Sequence, residues 1–588
     1  MTRKGEGGRS IPEDRDWVAR FTDEVIAEAD RRDPGGIIVC ASGLSPSGPV
    51  HLGNLREVMT PHLVADEIRR RGRACEHLLS WDDFDRFRKV PAGVDPSWER
   101  HIGRPLSRVP APTGSEYPNW AEHFKAPMRA ALVELGIVVR EIDQTSMYTS
   151  GAYREQVIAA MTQRKAIDAV LGRYRTKGRV APVAEAAADE SEALEAQGSG
   201  AATDDDGTAA AGYFPYKPYC SNCDKDLTTV TSYDDATTAL HYVCGFCGSE
   251  EGVLLNEHTN GKLVWKVDWP MRWAYEHVVF EPSGVDHSSP GSSFVVGSQI
   301  VREVFGTEPP IGPMYAFVGI SGMAKMSSSR GAVPTPSDAL EIMEAPVLRW
   351  LYARRRPNQS FKVAFDVELS RLYDEWDATG RRIATGAVGT DAVSYDRAVR
   401  VAERALPSTP HVVPFRTLAS IVDVTTGDPE QVLRILRQLD PEDPITGLAE
   451  VEPRLSRAAR WIKVQVPLDE RTQVRDEPDK ELLAELTEGQ RSALRRLAEG
   501  LDDHRSLEQL TKLVYAVPKI EAGLPLDAQP TPELKALQRR FFSLVYRLLV
   551  TRDTGPRLPT LLLAIGPERA KALLTGSPSP GHTPRSAG

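Results

Sequence analysis

Nowhere in the 588 residues is there a run near the roughly 20 consecutive apolar residues that a bilayer span demands. A helical membrane protein is therefore not expected. The opening stretch, MTRKGEGGRSIPEDRDW, lacks the apolar core of a secretory signal, so a cytoplasmic location is expected. Cysteine is scarce, six residues in all, and in a reducing compartment no disulfide framework is expected. A fourth lack is local. Residues 181–212 hold no Lys or Arg and almost no large apolar side chain, yet carry eight acids (Glu185, Asp189, Glu190, Glu192, Glu195, Asp204, Asp205, Asp206). Such a segment cannot repay the entropy of ordering, and it reads as a disordered insert.

The rest is ordinary globular material, 41% hydrophobic and 26% charged, in a chain long enough for several domains. The net charge of -10 argues against nucleic acid only as a total. Basic residues gather at Arg69, Arg70, Arg71 and Arg73; at Arg164, Lys165, Arg173, Arg175, Lys177 and Arg179; and at Arg349, Arg354, Arg355 and Arg356. Each cluster reads either as a phosphate contact or as a solvated helix end.

Ile37-Ile38-Val39-Cys40-Ala41, between Gly35-Gly36 and Ser42-Gly43, reads as a buried strand. From His51 to Arg71 the apolar residues fall at helical spacing, with Pro61 inside and Gly72 as a stop. His77 to Trp81 reads as a second strand running into Asp82, Asp83 and Asp85, which are expected as surface or structural acids. Strand, turn, helix, strand opens a doubly wound, Rossmann-type α/β domain, whose ligands lie at the carboxyl ends of the strands. Strand-like runs return at Leu263–Val267, Phe294-Val295-Val296 and Tyr315–Val318. The expected organisation is a catalytic domain in two halves, 1–150 and 259–345, split by an insertion at 151–258 with a cysteine module at 213–255. From 346 to 588 the chain reads as helix after helix, for example Pro429–Leu439, Lys480–Glu499 and Pro532–Val550, with a frayed tail from about 575.

Two segments carry nucleotide chemistry. Ser45-Pro46-Ser47-Gly48-Pro49-Val50-His51-Leu52-Gly53-Asn54 lies between strand and helix, where small residues admit a phosphate to the backbone and a helix N-terminus favours negative charge. His51 and Asn54 stand about one turn apart and can both donate. Lys325-Met326-Ser327-Ser328-Ser329 supplies one point charge and adaptable hydroxyls, as a departing pyrophosphate requires. A Gly/Pro-rich turn and a Ser-rich linker are the plainer readings of each segment alone. Together, beside strands of one sheet, they form a pair. A third constellation, Cys220-x-x-Cys223 and Cys244-x-x-Cys247, has the spacing of a tetrahedral structural Zn²⁺ site; a redox role or vicinal disulfides is the competing reading. Cys40 and Cys75 are expected in the core.

The two nucleotide segments resemble the paired signatures of the class I aminoacyl-tRNA synthetases. The details resemble most the class I lysyl group: Ala41-Ser42-Gly43-Leu44-Ser45-Pro46-Ser47-Gly48 leading into His51-Leu52-Gly53-Asn54, then Asp268-Trp269-Pro270-Met271-Arg272-Trp273, Gly284-Val285-Asp286-His287, and the Lys-Met-Ser-Ser-Ser form of the second signature. The likeness covers roughly residues 15–365, and the helical remainder in general character only. Asn54 replaces the second His of the general class and Ser328 a second Lys. Both are usual in the lysyl group, and they leave Lys325 as the main fixed charge on the leaving group, with Arg330 beside it.

The resemblance implies that a lysine carboxylate attacks the α-phosphate of ATP, pyrophosphate leaves, and the terminal ribose 2′-hydroxyl of tRNA(Lys) attacks the adenylate. No protein nucleophile is needed, and no convincing nucleophile–base arrangement is found. The implied catalytic residues are His51, Asn54 and Lys325; ATP falls to Ser47, Gly48, His51, Gly53, Asn54, Lys325, Met326, Ser327 and Ser328, with Mg²⁺ on the phosphates. A lysine ammonium calls for an aromatic wall and an acceptor. Trp265, Trp269, Trp273 and Tyr315 are candidate walls, and the resemblance favours Gly43, Ser45, Trp269, His287 and Tyr315. The zinc module would reach toward the acceptor stem, and the helical region would bind the anticodon. There Arg539, Arg540, Phe541 and Phe542 could meet nucleotides, although Phe541 and Phe542 read better as core. The competing functions are a synthetase for glutamate or arginine, a tRNA-independent adenylating ligase, and a non-catalytic tRNA-binding protein.

Overall fold

Small and apolar residues build the first strand, Ile38–Leu44, and the chain comes back to pair with it twice, at 75–81 and at Phe280. The computed structural model describes residues 16–91, 94–175, 208–209, 212–287, 291–321, 333–440, 442–467, 471–504 and 506–577. They divide into two compact units. One takes residues up to 340 together with 345–367 and 379–406; the other takes 341–344, 368–378 and 407 onward.

In the first unit, helix α1 (Trp17–Arg32) precedes strand β1 (Ile38–Leu44). A 3-10 turn at Leu52–Asn54 leads into α2 (Leu55–Arg70), which returns the chain to β2 (Cys75–Trp81). Helix α3 (Trp120–Glu134) then leads to β3 (Arg140–Asp143). These strands pair in parallel in the order β1-β2-β3. On the other side of β1, Phe280 bridges Cys40 in parallel and is bridged in turn by Ile311; Ser283 and Gly284 then pair with Met314 and Tyr315. Ala41 N–H donates to Phe280 O at 2.8 Å and Val279 N–H to Val39 O at 2.9 Å. Residues more than 200 positions apart thus share one parallel layer.

Both faces of that layer are covered. Val39, Ala41, Leu78 and Ile142 pack against Trp269 and Trp273 of α4 (Trp265–Tyr275) and Val301 of α5 (Ser293–Glu303). The opposite face lies under α2, which buries Leu55, Val58, Met59, Leu63, Val64 and Ile68. Three expectations fail here. Phe294-Val295-Val296 and Trp265–Val267 are helical, because their apolar residues continue at a spacing of three and four along α5 and α4 rather than alternating. The third is the disordered stretch, whose C-terminal end pairs as short antiparallel strands, Thr208–Ala209 with Gly212–Tyr213; residues 181–207 lie outside the described residues. Asp82 and Asp83, by contrast, are buried structural acids, the second of the two places expected for them, and pair with Arg272 and Lys125.

Three antiparallel strands, Thr228–Tyr233, Ala239–Cys244 and Glu250–Leu254, carry the cysteine module. It docks on the 84–108 segment: Tyr219 Oη donates to Phe84 O at 2.6 Å, Asp226 N–H to Gly103 O at 2.8 Å, and Arg108 pairs with Asp224 at 2.5 Å.

The second unit is helical, and its buried ion group is Arg454, pairing with Glu344 at 2.8 Å and Asp377 at 2.9 Å under the Tyr373 ring. Helix Pro429–Leu436 starts on proline at its first turn, where a missing N–H costs nothing. The helix expected over 480–499 is two, Lys480–Glu485 and Glu488–Gly500, because Thr487 and Gln490 cap each other's backbone and start a new helix. Helix Pro532–Val550 has the expected bounds; Phe541 is buried and Phe542 half-buried. The tail from 578 lies outside the described residues. No described helix is long and apolar enough to cross a membrane.

Candidate functional site

A cavity of about 610 Å³ opens at the carboxyl ends of β1 and β2. Gly43, Ser45, Ser47, Gly48, His51, Gly53 and Asn54 line it from the end of β1 and the turn beyond. Trp269, His287 and Tyr315 line it from elements more than 200 residues later. Every described residue named for the nucleotide or the amino acid therefore meets one space. Lys325, Met326, Ser327 and Ser328 lie outside the described residues; Phe317 before them and Val333 after them both line the cavity.

His51 stands where the backbone turns into the 3-10 helix, with Leu52 N–H donating to Pro334 O at 2.7 Å. Its Nδ1 is buried with no partner among the described residues, and burial lowers its pKa. At neutral pH the ring is therefore uncharged and can present one donor and one acceptor. Arg56, one turn on, is buried and donates to Ala316 O at 3.0 Å, Gln359 O at 2.9 Å and Arg356 O at 2.7 Å. It ties α2 to the stretch just after Tyr315.

The sequence reading missed Glu57 and Glu281, and it gave Asp82 and Asp85 no part in this site. Glu57 accepts from Gly43 N–H at 3.3 Å and from Tyr315 Oη at 3.3 Å, so one carboxylate joins two predicted residues. Burial, reinforced by the charges of Glu281 and Asp82, pushes Glu57 up to about 8. Glu281 accepts from the indole N–H of Trp269 at 3.0 Å and of Trp273 at 2.7 Å, and burial raises it to about 7. Asp82 is raised to about 6 by burial, against the pull of Arg272. Arg272 donates to Asp82 at 2.6 Å and also pairs with Asp268, which accepts from Tyr148 Oη at 2.5 Å; Lys262 pairs with Asp85. Burial holds Glu57 and Glu281 toward their protonated forms, and a cationic guest in the cavity would favour the ionised forms instead. One signal was legible: Glu57 is an acid in the first turn of α2, directly after the His51 segment. Glu281 has no sequence signal, since its partners come from another element.

Ring geometry completes the wall. Trp265 stacks on Trp269 at 5.2 Å, and His287 stands edge-on to Trp269 at 5.8 Å. Arg86, Arg88 and Lys89 lie on the cavity lining from the segment that the cysteine module packs against.

The basic clusters are mostly spoken for. Arg70 pairs with Asp66 and Asp396, Arg71 with Asp23 and Glu67, Arg73 with Asp30, Arg164 with Asp235, and Arg173 with Glu303. Arg349 is buried against His62 and the carbonyls of Leu135 and Arg397. A buried Lys125 fills the acidic group Asp83, Glu122 and Asp143, at 2.8, 2.9 and 2.5 Å.

At the cysteine module Cys220 and Cys247 Sγ lie 3.6 Å apart and Cys223 and Cys244 Sγ 3.7 Å, all four within 4.8 Å of one another. A tetrahedron of zinc–sulfur bonds of about 2.3 Å has edges of about 3.8 Å. Disulfides, at about 2.05 Å, do not match. The four thiols fit a zinc ion. Gly248 takes φ +76° in the second knuckle, where a side chain would be strained. Cys40 is buried and Cys75 half-buried, with their Sγ atoms 3.9 Å apart.

The family model for tRNA synthetases class I (K) matches residues 15–403. A lysine–tRNA ligase of Streptomyces coelicolor is 63% identical over 96% of this chain and 98% of its own. One from Pyrococcus horikoshii is 32% identical over 93% of this chain and 97% of its own. One from Treponema pallidum is 30% identical over 95% and 98%.

Proposed function

Because the chain belongs to the class I tRNA synthetases for lysine, we propose a division of its reaction, the ATP-dependent attachment of lysine to tRNA, among the residues at the β1–β2 cavity. The observation that carries the proposal is the joining of Gly43, Glu57 and Tyr315 beside an aromatic wall in the same cavity as His51 and Asn54.

Glu57, oriented by Gly43 N–H and Tyr315 Oη, receives the lysine side-chain ammonium; Trp269 and His287 wall the methylene chain, and Ser45 faces the cavity at the end of β1. A desolvated ammonium needs a carboxylate of this kind, and its arrival favours ionised Glu57 over the protonated form that burial prefers. ATP lies over Ser47, Gly48 and Gly53 with its phosphates toward His51 and Asn54. His51, kept neutral, donates to an α-phosphate oxygen without adding a charge that would repel the lysine ammonium. Lys325, with Met326, Ser327 and Ser328 of the second signature, takes the pyrophosphate as it leaves. Mg²⁺ would ride on the phosphates. The residues contribute position and charge rather than a covalent intermediate, and such preorganised donors supply the larger part of acyl-adenylate catalysis.

In this reading 1–150 and 259–345 are two halves of one catalytic domain, and 151–258 is an insertion. Zinc on Cys220, Cys223, Cys244 and Cys247 is structural: it stiffens the 213–255 module toward the acceptor stem of tRNA(Lys). Residues 346–588 contact the stem and the anticodon. The compartment of translation, the cytoplasm, is the expected location.

The acidic lining disfavours glutamate as the activated amino acid, since its side-chain carboxylate would meet Glu57, Asp82 and Glu281. The deciding experiment charges an unfractionated tRNA pool and identifies both the esterified amino acid and the tRNA species. Lysine on tRNA(Lys) is expected; arginine or glutamate on its own tRNA would overturn the assignment.

A further inference from the structure

We infer that Glu281 is a positioning residue for the amino-acid pocket, holding the Trp269 and Trp273 indoles in the one orientation that makes Trp269 the pocket wall. The inference rests on the reading of this cavity as the lysine site.

Trp265, Trp269 and Trp273 recur every four residues along α4 and so share one face. Trp269 is 7% exposed and Trp273 2%, and each carries one N–H that must be satisfied away from water. A single carboxylate satisfies both, Oε1 taking Trp269 at 3.0 Å and Oε2 taking Trp273 at 2.7 Å. Glu281 itself comes from the strand-like segment beside β1, where its N–H donates to Ile311 O at 3.1 Å. The carboxylate therefore joins the sheet to the helix across the pocket. Rings flipped about χ2 would turn their N–H groups away from it and leave them unpaired.

The surroundings are shaped to the same orientation. Phe294 of α5 packs on both indoles, at 5.7 and 5.1 Å. Gly297 leaves room for the Trp273 ring, since a Cβ there would lie 3.2 Å from two ring carbons. Gly312 leaves room for Phe294, whose ring would be 2.0 Å from a Cβ. With Trp269 so held, its ring stacks on Trp265 and meets His287 edge-on. A neutral amide in place of Glu281 would not do the same work. A glutamine offers one oxygen and one NH₂, and the NH₂ would confront an indole N–H, donor against donor.

Glu281→Gln tests this in steady-state aminoacylation with ATP and tRNA saturating. The lysine KM is expected to rise about tenfold or more, as for one buried donor left unpaired, while kcat and the ATP KM change little. Adding Trp273→Phe removes the confronted N–H, so E281Q/W273F is expected to recover most of the lysine KM, and it also serves if Glu281→Gln alone folds poorly. A lysine KM unchanged in Glu281→Gln would overturn the inference. A KM in E281Q/W273F as high as in Glu281→Gln would overturn it too, by showing that Glu281 acts on lysine directly rather than through the indoles. Glu57→Gln separates the two layers. If it raises the lysine KM and Glu281→Gln does not, positioning fails alone; if neither variant raises it, the cavity is not the lysine site and both readings fall.

Discussion

Arg272 of α4 donates to Asp82 at the end of β2 at 2.6 Å, with both side chains almost wholly buried. The pair joins a helix to a strand tip 190 residues away in the chain. Breaking one side of a buried pair leaves an uncompensated charge, which costs about 3–5 kcal/mol. Arg272→Leu, which strands Asp82 and leaves Asp268 with Lys262 at 3.4 Å as its remaining cation, is therefore expected to lower unfolding stability by about that amount in denaturant titration. An unchanged midpoint would mean that the acids simply take up protons at no net cost.

Glu57 predicts a pH dependence. Its folded pKa, about 8 in the lysine-free protein, lies above the ordinary 4.5. Between those values the folded state holds a proton that the unfolded chain has released, so stability falls as pH rises through that window and levels off above it. Glu57→Gln has no such group. The variant is expected to gain in Tm over wild type as pH moves from 5 toward 8.5 in lysine-free buffer, while its lysine KM rises. A Tm difference that stays flat across that range would show that the Glu57 carboxyl is not strained by burial.

Lys325→Ala should lower kcat far more than it alters lysine affinity, by about 10²–10³, the usual loss for one transition-state charge contact. The check is steady-state kinetics in lysine. A raised KM with kcat unchanged would place Lys325 in ground-state binding instead.

Metal analysis of the purified protein should find one zinc per chain. C223A/C247A removes one thiol from each close pair, and with only two thiolates left the ion should be lost. The module's docking on the 84–108 segment should then loosen, read as faster amide exchange at Asp226, whose N–H donates to Gly103 O. Zinc retained at full occupancy by that variant would exclude these cysteines as its ligands.

Much of the site was legible because its chemistry is local. His51 and Asn54 follow one strand in a single turn, and the four cysteines lie in two short knuckles, so residue type and spacing alone carry the meaning. The strands β1 and β2 and helix α2 were legible for a similar reason: their apolar patterns match the periods of the elements they form. The pattern failed at Phe294–Val296, where three apolar residues in a row fit a strand or a buried helix equally well, and the longer run of α5 decided.

Sequence by itself thus marked out the His51–Asn54 turn, the thiol set and the two-part layout of signatures as candidates, since each is written in neighbours. Only tertiary structure supplied the acids beside the candidate amino-acid pocket. Glu57 meets Tyr315 across 258 positions, and Glu281 meets Trp269 and Trp273 only because the 279–284 segment lies in parallel beside β1. A carboxylate acquires its partners and its raised pKa from what burial places around it, and no spacing along the chain records that.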